Sequence, residues 1–530
     1  MLSRCLLLLM LSIPMVGQTS APATRNFHIS GTVVNALSGQ PLSHAQVAIG
    51  LALDPDIADS VVTGDDGAFD FADITPGKYW LMAEHHGFPR QAFNEHGQFS
   101  TAIVVGPGLQ SEKLVFRLRP DASITGLITD DQNDPIRDAQ VLLFRSGIET
   151  GGEIMTRSGQ ASTDDQGRYT FSHVRAGTYY LAVTAQPWYA VDAQRQKNSS
   201  DDQPSPLDVA YPVTFYPGSA DESGASPIVV RAGDRAAADV SLTPVAALHL
   251  RLGSTSPQTT SVQASARVFG RFNIPVPSYN ITSSDGSASY VDGLAPGRYV
   301  MQVDSYGRSR ASTRQEVTLS DNTELAAAGE PADITISGLV TVRGDTDPPK
   351  GAFVRLLNRH TGEGIGARVN EKGEFETSSP LSPGKYQVYV FNAGQAVVGS
   401  VVAQGGAQAT GRTLEITGKA PVHLAIELSR GLGRVDGTAL RDNKAFAGAM
   451  IVLLPQDPEN NAPLVRRDQS DSDGTFTLRE VLPGKYMLLA IADGWDLEWL
   501  NPAVLKPYLK DAKSLDIEPN GKYKLNVRAQ

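Results

Sequence analysis

Few residue groups in this chain have types and spacing that could do chemistry. His360-Thr361-Gly362-Glu363 fits the H-x-x-E pattern by which a zinc peptidase supplies two ligands, with a third ligand due from a distant histidine. The only later histidine is His423, and the motif falls in a turn with no enzyme-sized α/β region around it. Glu84-His85-His86 with His96 is the densest set of possible metal ligands. Adjacent histidines at a strand end point to opposite sides, however, and a surface loop accounts for them more simply. Asp471-Ser472-Asp473-Gly474 resembles the start of a calcium loop, as do the aspartates at Asp65 and Asp164. No bidentate glutamate follows at the required position, which favours ordinary turn aspartates. There is no H-E-x-x-H, C-x-x-C, G-x-S-x-G or P-loop, and Gly431-Leu432-Gly433 leads into a strand rather than a helix. Arg343-Gly344-Asp345 and the N-x-S/T matches at Asn198 and Asn280 are short enough to arise by chance. The expectation is a non-enzyme with no metal and no cofactor.

The elements that position these residues repeat. DDGAFDFADITPGKYWL at Asp65 returns as DDQGRYTFSHVRAGTYYL at Asp164, SDGSASYVDGLAPGRYVM at Ser284, EKGEFETSSPLSPGKYQV at Glu371 and SDGTFTLREVLPGKYMLL at Ser472. The glycine before the late tyrosine falls at Gly77, Gly177, Gly297, Gly384 and Gly484, and the earlier turn glycine at Gly67, Gly167, Gly286, Gly373 and Gly474 precedes it by 10 or 11 residues. Constant spacing between two turns, five times over, implies one fold repeated. Each unit opens with alternating strands around a polar turn, as in ISGTVVNALSGQPLSHAQVAI at Ile29; the third, ALHLRLG near Ala246, is degenerate there. Asp-Gly supplies a turn, and Phe69 and Phe71 share one face of the strand that follows. Pro76-Gly77 suits a type II turn with the glycine at positive φ. Tyr79, Tyr179, Tyr299, Tyr386 and Tyr486 then occupy the place of a tyrosine corner, in which the hydroxyl holds nearby backbone, or of a core aromatic with a wet tip.

The opening G-x-V-x-(turn)-P-(x)-A-x-V, the central D-x-x-G-x-F-x-F and the closing L-x-P-G-x-Y-x-L together resemble carboxypeptidase regulatory-like domains. The resemblance implies small transthyretin-like β-sandwiches, related in form to starch-binding-like and Cna-B-like modules. It is clear in units one, two, four and five and weaker in three. Tandem arrays of such domains are common in exported bacterial proteins, and the resemblance by itself implies no peptidase activity.

The fold class expected is therefore all-β, a tandem array of about five Ig/transthyretin-like antiparallel sandwiches. A chain of 530 residues is too long for one core, and its 50 Gly and 33 Pro suit many turns. The expected boundaries are a signal peptide at 1–23 and sandwiches at 24–120, 121–245, 246–332, 333–428 and 429–530. The leader reads so because Arg4 precedes a short apolar run from Cys5 to Val16 with small residues after it. It holds the only cysteine, so neither a disulfide nor thiol chemistry is expected beyond it. Export to the periplasm, cell surface or medium follows, with no later membrane span. The formal charge of −11 opposes binding to nucleic acid or anionic lipid. Joins such as RLRPDASITG are short, which predicts a stiff, elongated string.

The units differ most just after the tyrosine strand: HHGFPRQAFNEHGQ at His85, an aromatic insertion over 186–218, and a short helical insertion over 493–510 capped by Asn501-Pro502. Loops on a rigid scaffold commonly carry binding. Trp188, Tyr189, Tyr211, Phe215, Tyr216, Trp495 and Trp499 could form platforms for sugar rings or a partner protein, or could cement neighbouring units. The expected partner is a polysaccharide or another envelope or secreted protein. Three functions fit: a surface or periplasmic scaffold, adhesion or binding protein; a polysaccharide-binding protein using the aromatic insertions; or an accessory subunit of a secreted peptidase or outer-membrane transporter.

Overall fold

The computed structural model describes residues 27–52, 54–149, 152–190, 206–253, 259–282, 289–307, 311–326, 334–358, 364–377, 381, 383–418 and 420–530. The leader, the H-x-x-E motif, Asn198 and Gly286 lie outside them. Strands form five pairs of sheets in succession, each pair closed around its own apolar core. In the first unit one sheet places Phe27–Asn35 between Ala68–Ile74 and Leu114–Leu118. The other runs Asp54–Val62, Gln46–Leu51, Gly77–His85, with Phe88–Ala92 and Ile103–Val105 both paired to the last of these. Phe69, Phe71, Tyr79 and Leu81 alternate into the core between the two sheets.

The same wiring recurs, and it adds parallel pairing on the opening strand to each otherwise antiparallel sandwich, in two stretches in unit two. The opening strand lies alongside a closing strand running the same way, with Gly31 opposite Leu114, Ile124 opposite Ala236, Leu250 opposite Thr323, Gly338 opposite Leu424 and Gly437 opposite Leu525. That pairing explains the glycine of the opening motif. A β-carbon at Gly31 or Gly338 would run into the facing carbonyl of Leu114 or Leu424.

The two repeated turns have different origins. Gly67, Gly167, Gly373 and Gly474 all take positive φ, and their carbonyls accept from Val33, Ile128, Val340 and Ala439 of the opening strand at 2.7–2.9 Å. Gly77, Gly177 and Gly297 depart from the expected type II turn, since none of them takes left-handed backbone. The left-handed residue stands four places earlier instead, at Asp73, His173, Gly293 and Glu480, where the antiparallel register slips. A β-carbon at Gly297 would crowd the Tyr299 hydroxyl and ring at 3.2–3.4 Å, whereas at Gly77 and Gly177 it would meet the tyrosine ring at ordinary contact distance, 3.4 and 3.5 Å. Tyr79, Tyr179 and Tyr299 donate their hydroxyls to the carbonyls of Thr75, Arg175 and Ala295 at 3.0, 2.7 and 2.6 Å, the tyrosine-corner bond. Burial pushes the Tyr299 and Tyr486 hydroxyls up to about 12.

The tandem arrangement carries a contact that a simple string lacks: the fifth unit packs against the first. No helix among the described residues is long and apolar enough to cross a membrane.

Candidate functional site

The insertions that distinguish the units meet one another and their neighbours. In unit five, Gly484–Ile491 leads through Asp493 to the helix α1 at Pro502–Leu509, whose cap Asn501 accepts from the Ala503 amide at 3.1 Å. Trp499, Leu500 and Leu505 turn inward on the outer face of Met450–Pro455. Trp499 is only 2% exposed, and its indole nitrogen lacks a hydrogen-bond partner. Ile148, from the hairpin of unit two, packs against the same cluster.

Trp495 faces the other way, onto unit one. Its ring stacks on His96 at 4.9 Å and 7° and leans on Phe99 at 5.4 Å, while its indole N–H donates to the Gly448 carbonyl at 3.1 Å. Beneath it lies a polar seam. His96 Nδ1 is 3.1 Å from Gln469 Oε1, and the Gln469 amide donates to the Asn94 carbonyl and Thr101 hydroxyl at 2.7 and 2.8 Å. Lys78 Nζ bonds the Asp471 carboxylate and lies 3.1 Å from the Thr475 hydroxyl. The Ala102 amide donates to Asp471 at 3.2 Å, while Val104 and Ser472 donate across the seam at 2.8 and 2.9 Å. Burial raises the Asp471 pKa and Lys78 opposes it; burial also lifts Asp468 to about 6. The turn whose spelling resembles a calcium loop is therefore occupied by a lysine and backbone amides of another unit.

The unit-two insertion acts in the same manner on unit three. Phe272 enters a cluster of Phe144, Tyr180 and Phe215 at centroid distances of 5.1–5.6 Å, and Arg271 lies over the Tyr180 ring at 5.0 Å. Glu222 accepts from the Arg271 amide at 3.1 Å. His249 is held between two carboxylates at this junction, Asp208 of unit two at 2.6 Å and Asp292 of unit three at 3.1 Å. The Asp292 bond, opposed by burial and reinforced by Asp208, raises its pKa to about 9.

The seven aromatic residues singled out by the sequence thus separate. Phe215 and Trp499 are buried, and Tyr211 sits in the unit-two core with its hydroxyl bonded to Tyr189. Tyr216 is half-buried against that core. Trp495 is spent on the junction with unit one. Trp188 alone is open, 94% exposed and edge-on to Tyr189 at 5.7 Å. The histidines Glu84-His85-His86 seemed to group with His96 do not converge, since His85 bonds the His86 carbonyl at 2.8 Å and His96 is engaged by Trp495 and Gln469. Sequence reasoning missed Lys78, Phe99, Phe272 and Gln469, and read Asp471 only as a turn aspartate. The one signal was the polar run Asp468-Gln469-Ser470-Asp471, where unit one spells Val61-Val62-Thr63-Gly64.

Residues 28–119 and 123–243, within the first two units, match the family model of the Carboxypeptidase regulatory-like domain. No curated protein matches the sequence. Among solved structures, the Bacillus anthracis TIE protein aligns over 96% of this chain and 76% of its own, at 11% identity and a TM-score of 0.17. BcpA, the major pilin subunit of Bacillus cereus, aligns over 77% of this chain and 99% of its own, at 12% identity and a TM-score of 0.15. GBS52, the minor pilin of Streptococcus agalactiae, aligns over 41% and 96%, at 11% identity and a TM-score of 0.20. Scores this low do not bear on what this chain does.

Proposed function

We propose that this chain is an exported, non-catalytic scaffold or adhesion protein of the cell surface or periplasm. Its sandwiches are fixed to one another by the insertions that differ between them. The observation that carries this reading is the direction of the aromatic side chains: Phe272 is buried and Trp495 half-buried against neighbouring units instead of lining an open groove. A protein whose variable loops are spent on holding its domains in place presents a surface of set geometry to a partner. Cell fractionation of the full chain tests the placement, with the protein expected in the envelope or medium and its leader removed. Retention in the cytoplasm with the leader intact would refute it.

A second reading has one observation in its favour. Trp188 stands clear of every core, as a sugar-stacking ring would. A glycan array comparing the full chain with Trp188→Ala and Trp495→Ala separates the two readings. Binding lost only in Trp188→Ala supports polysaccharide recognition, and no binding to any glycan removes it.

A further inference from the structure

Between units four and five lies a cleft of about 520 Å³ whose charged lining is wholly cationic: Arg343, Arg412, Arg430 and Lys485. No aspartate or glutamate lines it, in a chain whose formal charge is −11. Two of the cations have counter-charges close by, Arg343 with Glu427 at 2.6 Å and Arg430 with Asp345 at 2.8 Å. Arg412 has none. Its guanidinium donates to the Val398 and Gly399 carbonyls and, at 2.7 Å, to the Asn461 side chain. Four such bonds leave one of its five N–H donors over. Burial lowers its pKa, as expected of a charge taken from water without a carboxylate to answer it. Arg466 repeats the pattern, half-buried and donating to the carbonyls of Pro463, Val465 and Glu480. Both guanidiniums act electrostatically on the Tyr486 hydroxyl. Lys485, at the rim, is exposed, with its amine in no ion pair among the described residues.

We propose that this cleft binds the carboxylate of an acidic sugar, a hexuronate unit of a polysaccharide or oligosaccharide. The one N–H that Arg412 has left over can donate to a carboxylate oxygen as a charge-assisted bond, and Lys485 adds a second positive charge. Gln456 and Ser429 add polar side chains to the lining, and the rest is rich in proline and leucine, suited to the C–H face of a pyranose ring. The volume falls within the range of small-ligand sites, which favour the joins between domains. The site is independent of Trp188, in a different unit, so glycan recognition there and here stand or fall separately.

Calorimetric titration of the full chain with glucuronate and with a short oligogalacturonate tests the proposal, with glucose and inorganic phosphate as comparison ligands. Uronate binding that weakens with salt, with little or none for glucose, is the expected result. Lys485→Glu should weaken it about tenfold or more by reversing one charge beside the carboxylate, with no change in the unfolding temperature because the side chain is exposed. Arg412→Lys should weaken it as well, because an ammonium cannot reach the Val398, Gly399 and Asn461 oxygens and still present an N–H to the carboxylate. Absence of uronate binding overturns the proposal. So does binding unchanged in Lys485→Glu, equal binding of glucose, or phosphate bound as tightly as uronate, which would mark an adventitious ion only.

Discussion

Removing Lys78 should open the contact between units one and five. The Lys78 side chain is 39% exposed and that of Asp471 13%, so the two ends of this ion pair are unequally dependent on each other. Without the lysine, the Asp471 carboxylate keeps the Ala102 amide at 3.2 Å and loses the one cation bonded to it. Breaking a fully buried pair costs about 3–5 kcal/mol. Screening at the half-exposed lysine reduces this to about 1–2 kcal/mol, which is roughly a five- to thirtyfold shift toward the open form. Asp471→Asn should cost less, because it keeps the side-chain shape and frees a lysine that water can reach. Adding Asp471→Asn to Lys78→Ala should recover part of the loss, because the stranded charge is gone. Small-angle scattering of the four proteins reads the opening as a larger radius of gyration, and denaturant unfolding of unit five reads its energy. If Lys78→Ala scatters and unfolds as the parent does, or if Asp471→Asn is the more damaging change, the reasoning is wrong.

Two further outcomes test the other junction. Phe272→Ala removes a buried ring from among Phe144, Tyr180 and Phe215 and should destabilise the join of units two and three by about 3 kcal/mol, seen as a separate, earlier unfolding step for unit three. His249, whose folded pKa of about 9 exceeds its ordinary 6.5, stabilises this junction fully below pH 6.5 and loses that contribution as pH rises through about 9. Imidazole chemical shifts should report a titration near pH 9 that falls toward the ordinary value in Asp292→Asn, and a midpoint near 6.5 in the parent would exclude the clamp.

Much of each unit was legible because its signals are local. Asp-Gly turns, period-two strands and a tyrosine two residues past a glycine are readable within a single repeat. The Pro-Gly turn misled at Gly77 and Gly297, whose glycines look like positive-φ residues and do not take positive φ. The left-handed backbone falls on Asp73, His173 and Glu480; the first two are types that tolerate it, and Glu480 is a type that gives no hint of it. The junctions were hidden for a different reason. Lys78 and Asp471 are ordinary strand and turn residues, nearly four hundred positions apart, and nothing in either neighbourhood names the other. Insertions rich in aromatics were visible, but the direction each ring faces depends on which unit lies beside it. Phe272 and Phe99 show this most plainly, since each gains its meaning from a residue of another unit.

The central claim is that the insertions fix the units to one another, and the join of units one and five tests it most directly. Spin labels at Gln98→Cys and Asp496→Cys, both exposed and each next to a partner in the Phe99–Trp495 contact, place a ruler across that join. A single narrow distance at the short end of the measurable range, broadened by Lys78→Ala, is the predicted result. A broad or long distribution in the parent chain would contradict the account.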